Sequence, residues 1–246
     1  MQVAQNNVKP DMDSTLGKKD QVVEMFDSIS RRYDFLNRFL SLGIDQSWRK
    51  NAIKRIATVN PKHILDVATG TADLAIAAIK YSNPESIIGV DISQGMLNIG
   101  IEKVKKLGLQ ETISLHIADS THLPFDDNTF DAVTVGFGVR NFENMHKGLA
   151  EIYRVIRPGG MIAVLEFSQP TTIIVKQCYN FYFKTILPAW GRLVSGNNKA
   201  YTYLPASVLA FPDGQRFLDI LNNLGFKESK QKKLTFGICS LYTAIK

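Results

Sequence analysis

The chain is short of the residues that build cross-linked or metal-held scaffolds. Its 246 residues hold two cysteines, Cys178 and Cys239, and four histidines. Two distant cysteines make neither a disulfide framework nor a CxxC metal site, and they fit a reducing cytosol. No His/Cys/Asp cluster has ligand spacing, so no metal is expected. His116 falls inside a strand pattern and is expected in the core; His63, His122 and His146 lie at element edges. No run of about 18 apolar residues exists, so no membrane span is expected. The opening "MQVAQNNVKPDMDSTLGKKD" lacks an apolar core and is not a signal peptide, which points to the cytoplasm. Glycine is scarce where it matters most. "ILDVATGTADLAIAA", residues 64–78, reads as buried strand, turn and helix, yet keeps only Gly70. The G-x-G-x-x-G fingerprint and the Walker lysine are both missing, which excludes the usual pyrophosphate and polyphosphate loops.

What is present is an ordinary globular composition, 45% apolar and 21% charged, in a chain long enough for one large α/β domain. The net charge of +6 favours polyanions or an anionic membrane surface. Basic residues are not interleaved with aromatics, so no nucleic acid is expected as partner. Residues 1–17 read as a flexible N-terminus and 18–246 as a single domain. Within it, 18–60 has helical i, i+3, i+4 spacing ended by Pro61. Thereafter strands and helices alternate: "HILDVA", "ADLAIAAIK", "SIIGVD", "SQGMLNIGIEKVKKLG" with Gly108 as C-cap, "TISLHIAD", "DAVTVGF", "MHKGLAEIYRVIR" stopped by "PGG", and "MIAVLEFS". Such alternation predicts βαβ units and a parallel sheet. Residues 170–212 break the rhythm with an aromatic-rich apolar insertion, and the chain closes as helix, strand, turn, strand, the last pair antiparallel.

Ligands of open α/β sheets bind beyond the C-terminal strand ends. Here those ends carry the loop around Gly70, then Asp91, then Asp119-Ser120. An acid about 20 residues past the loop suits a ribose diol, and Gly70 to Asp91 has that spacing. Asp66 and Asp73 flank the loop. Two acids disfavour a polyphosphate and suit a cofactor carrying an amino group and a sulfonium.

At this point the sequence resembles the S-adenosylmethionine-dependent class I methyltransferases, and among them the ubiquinone/menaquinone biosynthesis C-methyltransferases. "YDFLNRFLSLGIDQSW" (33–48), "FGVRNFEN" (137–144) and "YRVIRPGGMIAVLEFS" (153–168) carry the likeness, which with "LDVATGTADL" runs from about Lys18 to the C-terminus. The resemblance implies an α/β, Rossmann-like seven-stranded mixed sheet of order 3-2-1-4-5-7-6 with strand seven antiparallel. It implies cofactor contacts at Thr71, Asp91, Asp119 and Ser120, to which Asp66, Gly70, Gly136 and Tyr33 are added. Gly136 stands where the family often has serine, so only a backbone contact is open to it. Asp45 stands where the family commonly has histidine.

The family reaction methylates a ring carbon of a polyprenylated quinol, giving S-adenosylhomocysteine. A phenol has a pKa near 10, and its ring carbon becomes nucleophilic as the hydroxyl loses its proton. Arg140 and Asn141, just past strand four, are the candidates to promote this, with Asp45 a further candidate base whose alternative is an exposed helix-start acid. Tyr33, Asp34 and Asn37 would form a lid, or an ordinary capped amphipathic helix. The insertion would hold the prenyl tail and touch the membrane surface where the quinol resides, or would complete the core or a homodimer contact. The "TGTAD" loop is more like the menaquinone-only members, which favours demethylmenaquinol over a benzoquinol of ubiquinone biosynthesis. The rivals are another small-molecule methyltransferase, an RNA or protein methyltransferase, and a non-catalytic scaffold.

Overall fold

The computed structural model describes residues 8–170 and 198–246, together with Thr172, Val175, Gln177 and Tyr179. Two helices lead, α1 (Lys18–Leu40) and α2 (Ile44–Ile56). Then come β1 (His63–Val67), α3 (Asp73–Ser82), β2 (Ser86–Asp91), α4 (Gln94–Lys106), β3 (Ile113–Ile117), β4 (Phe130–Gly136), α5 (Met145–Val155) and β5 (Ile156–Phe167). After 170 the described elements are α6 (Asn198–Ala210), α7 (Gln215–Asn223), β6 (Lys227–Leu234) and β7 (Cys239–Ile245). The expected apolar insertion lies for the most part outside the described residues; its last part is α6, which carries Pro205.

The strands form one sheet in the order β3-β2-β1-β4-β5-β7-β6, parallel except for β7. Period-two alternation builds both faces. In β1, Ile64 packs on the side of α2 and α3, while Leu65 and Val67 pack on the side of α5 and α7. In β4, Ala132 faces the first side and Val133 and Val135 the second; in β5, Met161, Ala163 and Leu165 face the first and Ile162 and Val164 the second. Strands covered on both faces need such near-continuous apolar runs. Each fully buried Leu, Ile or Val adds about 1.5–3 kcal/mol of transfer free energy.

Local signals fix the helix ends. Ser93 Oγ accepts from the Met96 amide at the start of α4, and Asn144 caps α5 by accepting from Lys147. Gly108 follows α4 with a φ of 69°, the expected C-cap. His116 overturns its expectation: it is exposed, because β3 is an edge strand and Leu115 is the side chain that turns toward α4. β5 begins at Ile156, before "PGG", with a register break opposite Phe130 and Ala132 of β4. Residues 8–17, read from sequence as flexible, run along α1: the Asp11 amide bonds Gln21 Oε1, and Val8 packs against the Val22–Met25–Tyr203 cluster.

Candidate active site

The chain order of the sheet reverses at β1, which lies between β2 and β4, and a cavity opens beside its C-terminal end. Counted together with the open solvent at its mouth it spans roughly 700 Å3. Of the residues singled out from sequence, it gathers Tyr33, Gly70, Asp91, Asp119, Ser120, Gly136 and Asn141.

The loop after β1 is strained. Ala68, Gly70 and Ala72 have φ values of 55°, 56° and 65°. Left-handed backbone costs an alanine about 1–2 kcal/mol, and such strain concentrates at ligand sites. The loop keeps one glycine because two alanines share its conformation. Gly138 of the "FGVRN" segment lies directly against it: a Cβ there would stand 2.5 Å from that of Ala68. Only glycine lets the two backbones approach this closely.

Asp91 holds the loop in place. Its Oδ2 accepts from the Gly70 amide at 2.8 Å and its Oδ1 from the Ser93 amide at 2.9 Å. Burial raises its pKa, which these two amides oppose. A carboxylate has about four acceptor positions, and the Ile92 amide takes a third, so about one stays available toward the cavity. Asp119 accepts from the Thr121 amide and hydroxyl, and its Oδ2 pairs with Lys19 at 2.6 Å. Those donors hold its carboxyl below the usual range.

Thr71, Asp66, Asp73 and Asp45 do not line the cavity. Asp66 is buried beneath the loop, accepting from Thr69 Oγ1 at 2.7 Å and Thr134 Oγ1 at 2.6 Å, and burial pushes its pKa up to about 6. Asp73 pairs with Lys103 and with Arg49, the latter at 3.5 Å. The acids that suggested a cationic cofactor are therefore engaged within the protein. Asp45 is neither exposed nor at the cavity: it is buried, paired with Arg49 and bonded by Ser41 Oγ. The Thr71 hydroxyl donates to Asp34 at 2.6 Å, and Asp34 also pairs with Lys103 at 2.9 Å. A chain of alternating charge, Asp45–Arg49–Asp73–Lys103–Asp34, thus joins α2, α3, α4 and α1.

This network is one of several fastenings that hold α1 over the cavity. In the second, Asp27 accepts from Ser93 Oγ at 2.6 Å and the Gly95 amide at 2.9 Å, placing an acid on the N-terminus of α4. Lys19 on Asp119 is the third. Tyr33 lies on the same helix, bonded to Asn37, its pKa raised by burial.

Arg140 is buried behind the cavity rather than in its lining. Its Nη1 donates to Glu166 Oε1 at 2.6 Å and to the Phe137 carbonyl, and its guanidinium lies 5.4 Å from the centre of the Phe167 ring. Glu166 is fully buried and also accepts from the Arg140 amide at 3.2 Å and the Phe167 amide at 3.0 Å. Lys18 ties the start of α1 to this segment by donating to the Arg140 and Phe142 carbonyls, and burial lowers its pKa to about 8. Glu166, Lys18, Lys103 and Asp27 carry no local signal, since each meets its partner across a long stretch of chain; Glu166 lay unremarked inside the "LEFS" stretch. Among the described residues no group of three or more His, Cys, Asp or Glu could hold a metal ion.

Residues 14–246 match the ubiE/COQ5 methyltransferase family. The chain belongs to this family. Its relatives there include a protein of Bacteroides fragilis named demethylmenaquinone methyltransferase, 49% identical over the whole of both chains. Another is the ubiquinone/menaquinone biosynthesis C-methyltransferase UbiE of Geobacter sulfurreducens, 43% identical over 93% of this chain and 90% of that one. Among solved structures, a Methanococcus maripaludis protein described as a putative S-adenosyl-L-methionine-dependent methyltransferase superposes with a TM-score of 0.60. It shares 20% identity over 96% of this chain and 97% of that chain. The putative methyltransferase bound to the Haloferax volcanii Trm112 activator gives 0.66 at 14% identity, over 89% of this chain and 96% of that one. Both likenesses are of fold. The sheet order that the resemblance implies, 3-2-1-4-5-7-6, is the one found here.

Proposed function

We propose that this chain transfers the methyl group of S-adenosylmethionine to a ring carbon of demethylmenaquinol. The observation that carries this reading is the end-to-end 49% identity with the Bacteroides fragilis protein of that name. The cavity is compatible with the donor. Asp91 retains acceptor capacity for a ribose diol, Asp119 and Ser120 face the same space, and Ile92, Met96, Ala118 and Phe142 offer apolar walls to a flat base. S-adenosylmethionine, when bound, supplies a methyl group activated by its sulfonium.

The chain's own task is to position the ring and assist ionisation of its hydroxyl. Asn141 lines the cavity, where it would meet the substrate, and Arg140, outside the lining, would act through its charge. The Arg140–Glu166 pair holds the "FGVRN" turn rigid and keeps a cation near the developing phenolate. Closure of α1 excludes water from the reacting centre. The Asp27 and Asp34 fastenings serve this closure. Transient contact with an anionic membrane surface is part of the reading, supported by the net charge of +6 and by the 79% exposed Phe236 beside the lysine-rich β6. No helix of the described residues is long and apolar enough to cross a membrane.

The benzoquinol of ubiquinone biosynthesis is the second reading, favoured by the name of the Geobacter sulfurreducens relative. Incubation with S-adenosylmethionine and each reduced precursor, followed by mass spectrometry, separates them. Demethylmenaquinol should gain one methylene. Gain on the benzoquinol alone selects the second reading, and gain on neither ends both.

A further inference from the structure

Two buried polar atoms near the substrate side have no hydrogen-bond partner among the described residues: Tyr203 Oη and Asn141 Oδ1. Tyr203 is 3% exposed and Asn141 8%. Tyr203 comes from α6, which packs on the Val139–Asn141 turn. Its ring lies with Val22 and Met25, alongside Phe26 and Ile92, and Val22, Phe26 and Ile92 line the cavity. More than nine in ten buried polar groups are satisfied, and an orphan calls for an explanation. Two orphans around one turn, one on a residue that lines the cavity and one on a residue packed behind its walls, match a ligand that brings its own partners.

The complementary group is a phenolic hydroxyl, which donates once and accepts. We propose that Tyr203 Oη donates to, and Asn141 Oδ1 accepts from, the ring hydroxyl adjacent to the carbon that is methylated. This rests on the quinol reading given above and adds a substrate-holding residue that no motif contains. Burial raises the Tyr203 pKa to about 12, so this hydroxyl stays protonated and able to donate.

Tyr203→Phe tests the proposal with two readouts of opposite sign. Removing a buried hydroxyl that lacks a protein partner should leave Tm unchanged or raise it. The same change should lower kcat/KM for reduced demethylmenaquinone about 10- to 100-fold, while cofactor affinity by calorimetry stays within about twofold. A kcat/KM within about threefold of wild type overturns the proposal. So does a clear fall in Tm, which would mark the hydroxyl as a structural bond. If the wild-type protein methylates neither quinol, the underlying reading fails and this inference with it. Wild-type turnover with an unaffected variant removes the inference alone.

Discussion

Asp66→Asn should change the pH dependence of stability in a direction opposite to that of an ordinary salt-bridged acid. Asp66 lies under the cofactor loop, 1% exposed, with two threonine hydroxyls on its carboxylate. Desolvation dominates and lifts its pKa from 3.8 to about 6, and repulsion from Asp91 adds to this. The folded chain therefore binds a proton more tightly than the unfolded one. Between the two values the folded state carries more protons, so stability falls as pH rises from about 4 to about 6 and then levels off. About two units at about 1.4 kcal/mol each come to about 3 kcal/mol. Asparagine removes the charge but accepts through one oxygen only, so one threonine must turn to accept from its amide, at a cost of about 1 kcal/mol that does not vary with pH. Urea denaturation of both proteins from pH 4 to pH 8 reads the difference. The variant should gain about 3 kcal/mol on the wild type across that window, nearly all of it below pH 7. A gap that stays constant within about 1 kcal/mol would refute the burial argument.

Three further outcomes are expected. Glu166→Gln leaves the Arg140 cation buried without its counter-charge, costing about 3–5 kcal/mol. At about 2–4 °C per kcal/mol for a chain of this size, Tm should fall by about 6 °C or more, and calorimetry showing a fall below about 2 °C would contradict it. Asp91→Asn keeps the shape but accepts through one oxygen only, so the Gly70 or the Ser93 amide loses its acceptor, and S-adenosylmethionine should bind at least about tenfold more weakly by titration calorimetry; unchanged affinity would remove Asp91 from the ribose. Asp34→Asn weakens a fastening whose partners are about a quarter exposed, so stability should drop by only about 1 kcal/mol. The loss should appear as faster hydrogen exchange in α1, and unaltered exchange there would show that Asp34 does not hold the lid.

The sheet was legible because its information is local. Alternation along "HILDV" and "DAVTVG" assigns each side chain to a face, and the glycine and serine signals around α4 mark its ends within a residue or two. His116 was misread because position in a strand says nothing of position in the sheet. A polar residue in a central strand would be buried; in edge strand β3 it meets solvent. The start of β5 was missed for a related reason. "PGG" reads as a stop in isolation, but pairing across the register break with β4 carries the strand through it.

The site divides along the same line. Gly70, Asp91 and Asp119 could be picked out because topology alone places strand ends together. The charges could not, because a sequence lists acids without saying which cations meet them. By spacing alone, Asp66 and Asp73 are available for a cationic ligand. Folding gives the first to Thr69 and Thr134 and the second to Lys103 and Arg49. With those acids engaged, little negative charge is left over for a cationic ligand, and the unmet hydrogen bonds at Tyr203 and Asn141 are the clearer mark of a ligand. Stability alone would favour a phenylalanine at 203 and a donor opposite Asn141 Oδ1, since the Asn141 amide already donates to the Phe137 carbonyl at 3.3 Å. Among the described residues neither Tyr203 Oη nor Asn141 Oδ1 finds a partner, and a substrate hydroxyl is the group that would supply one to both.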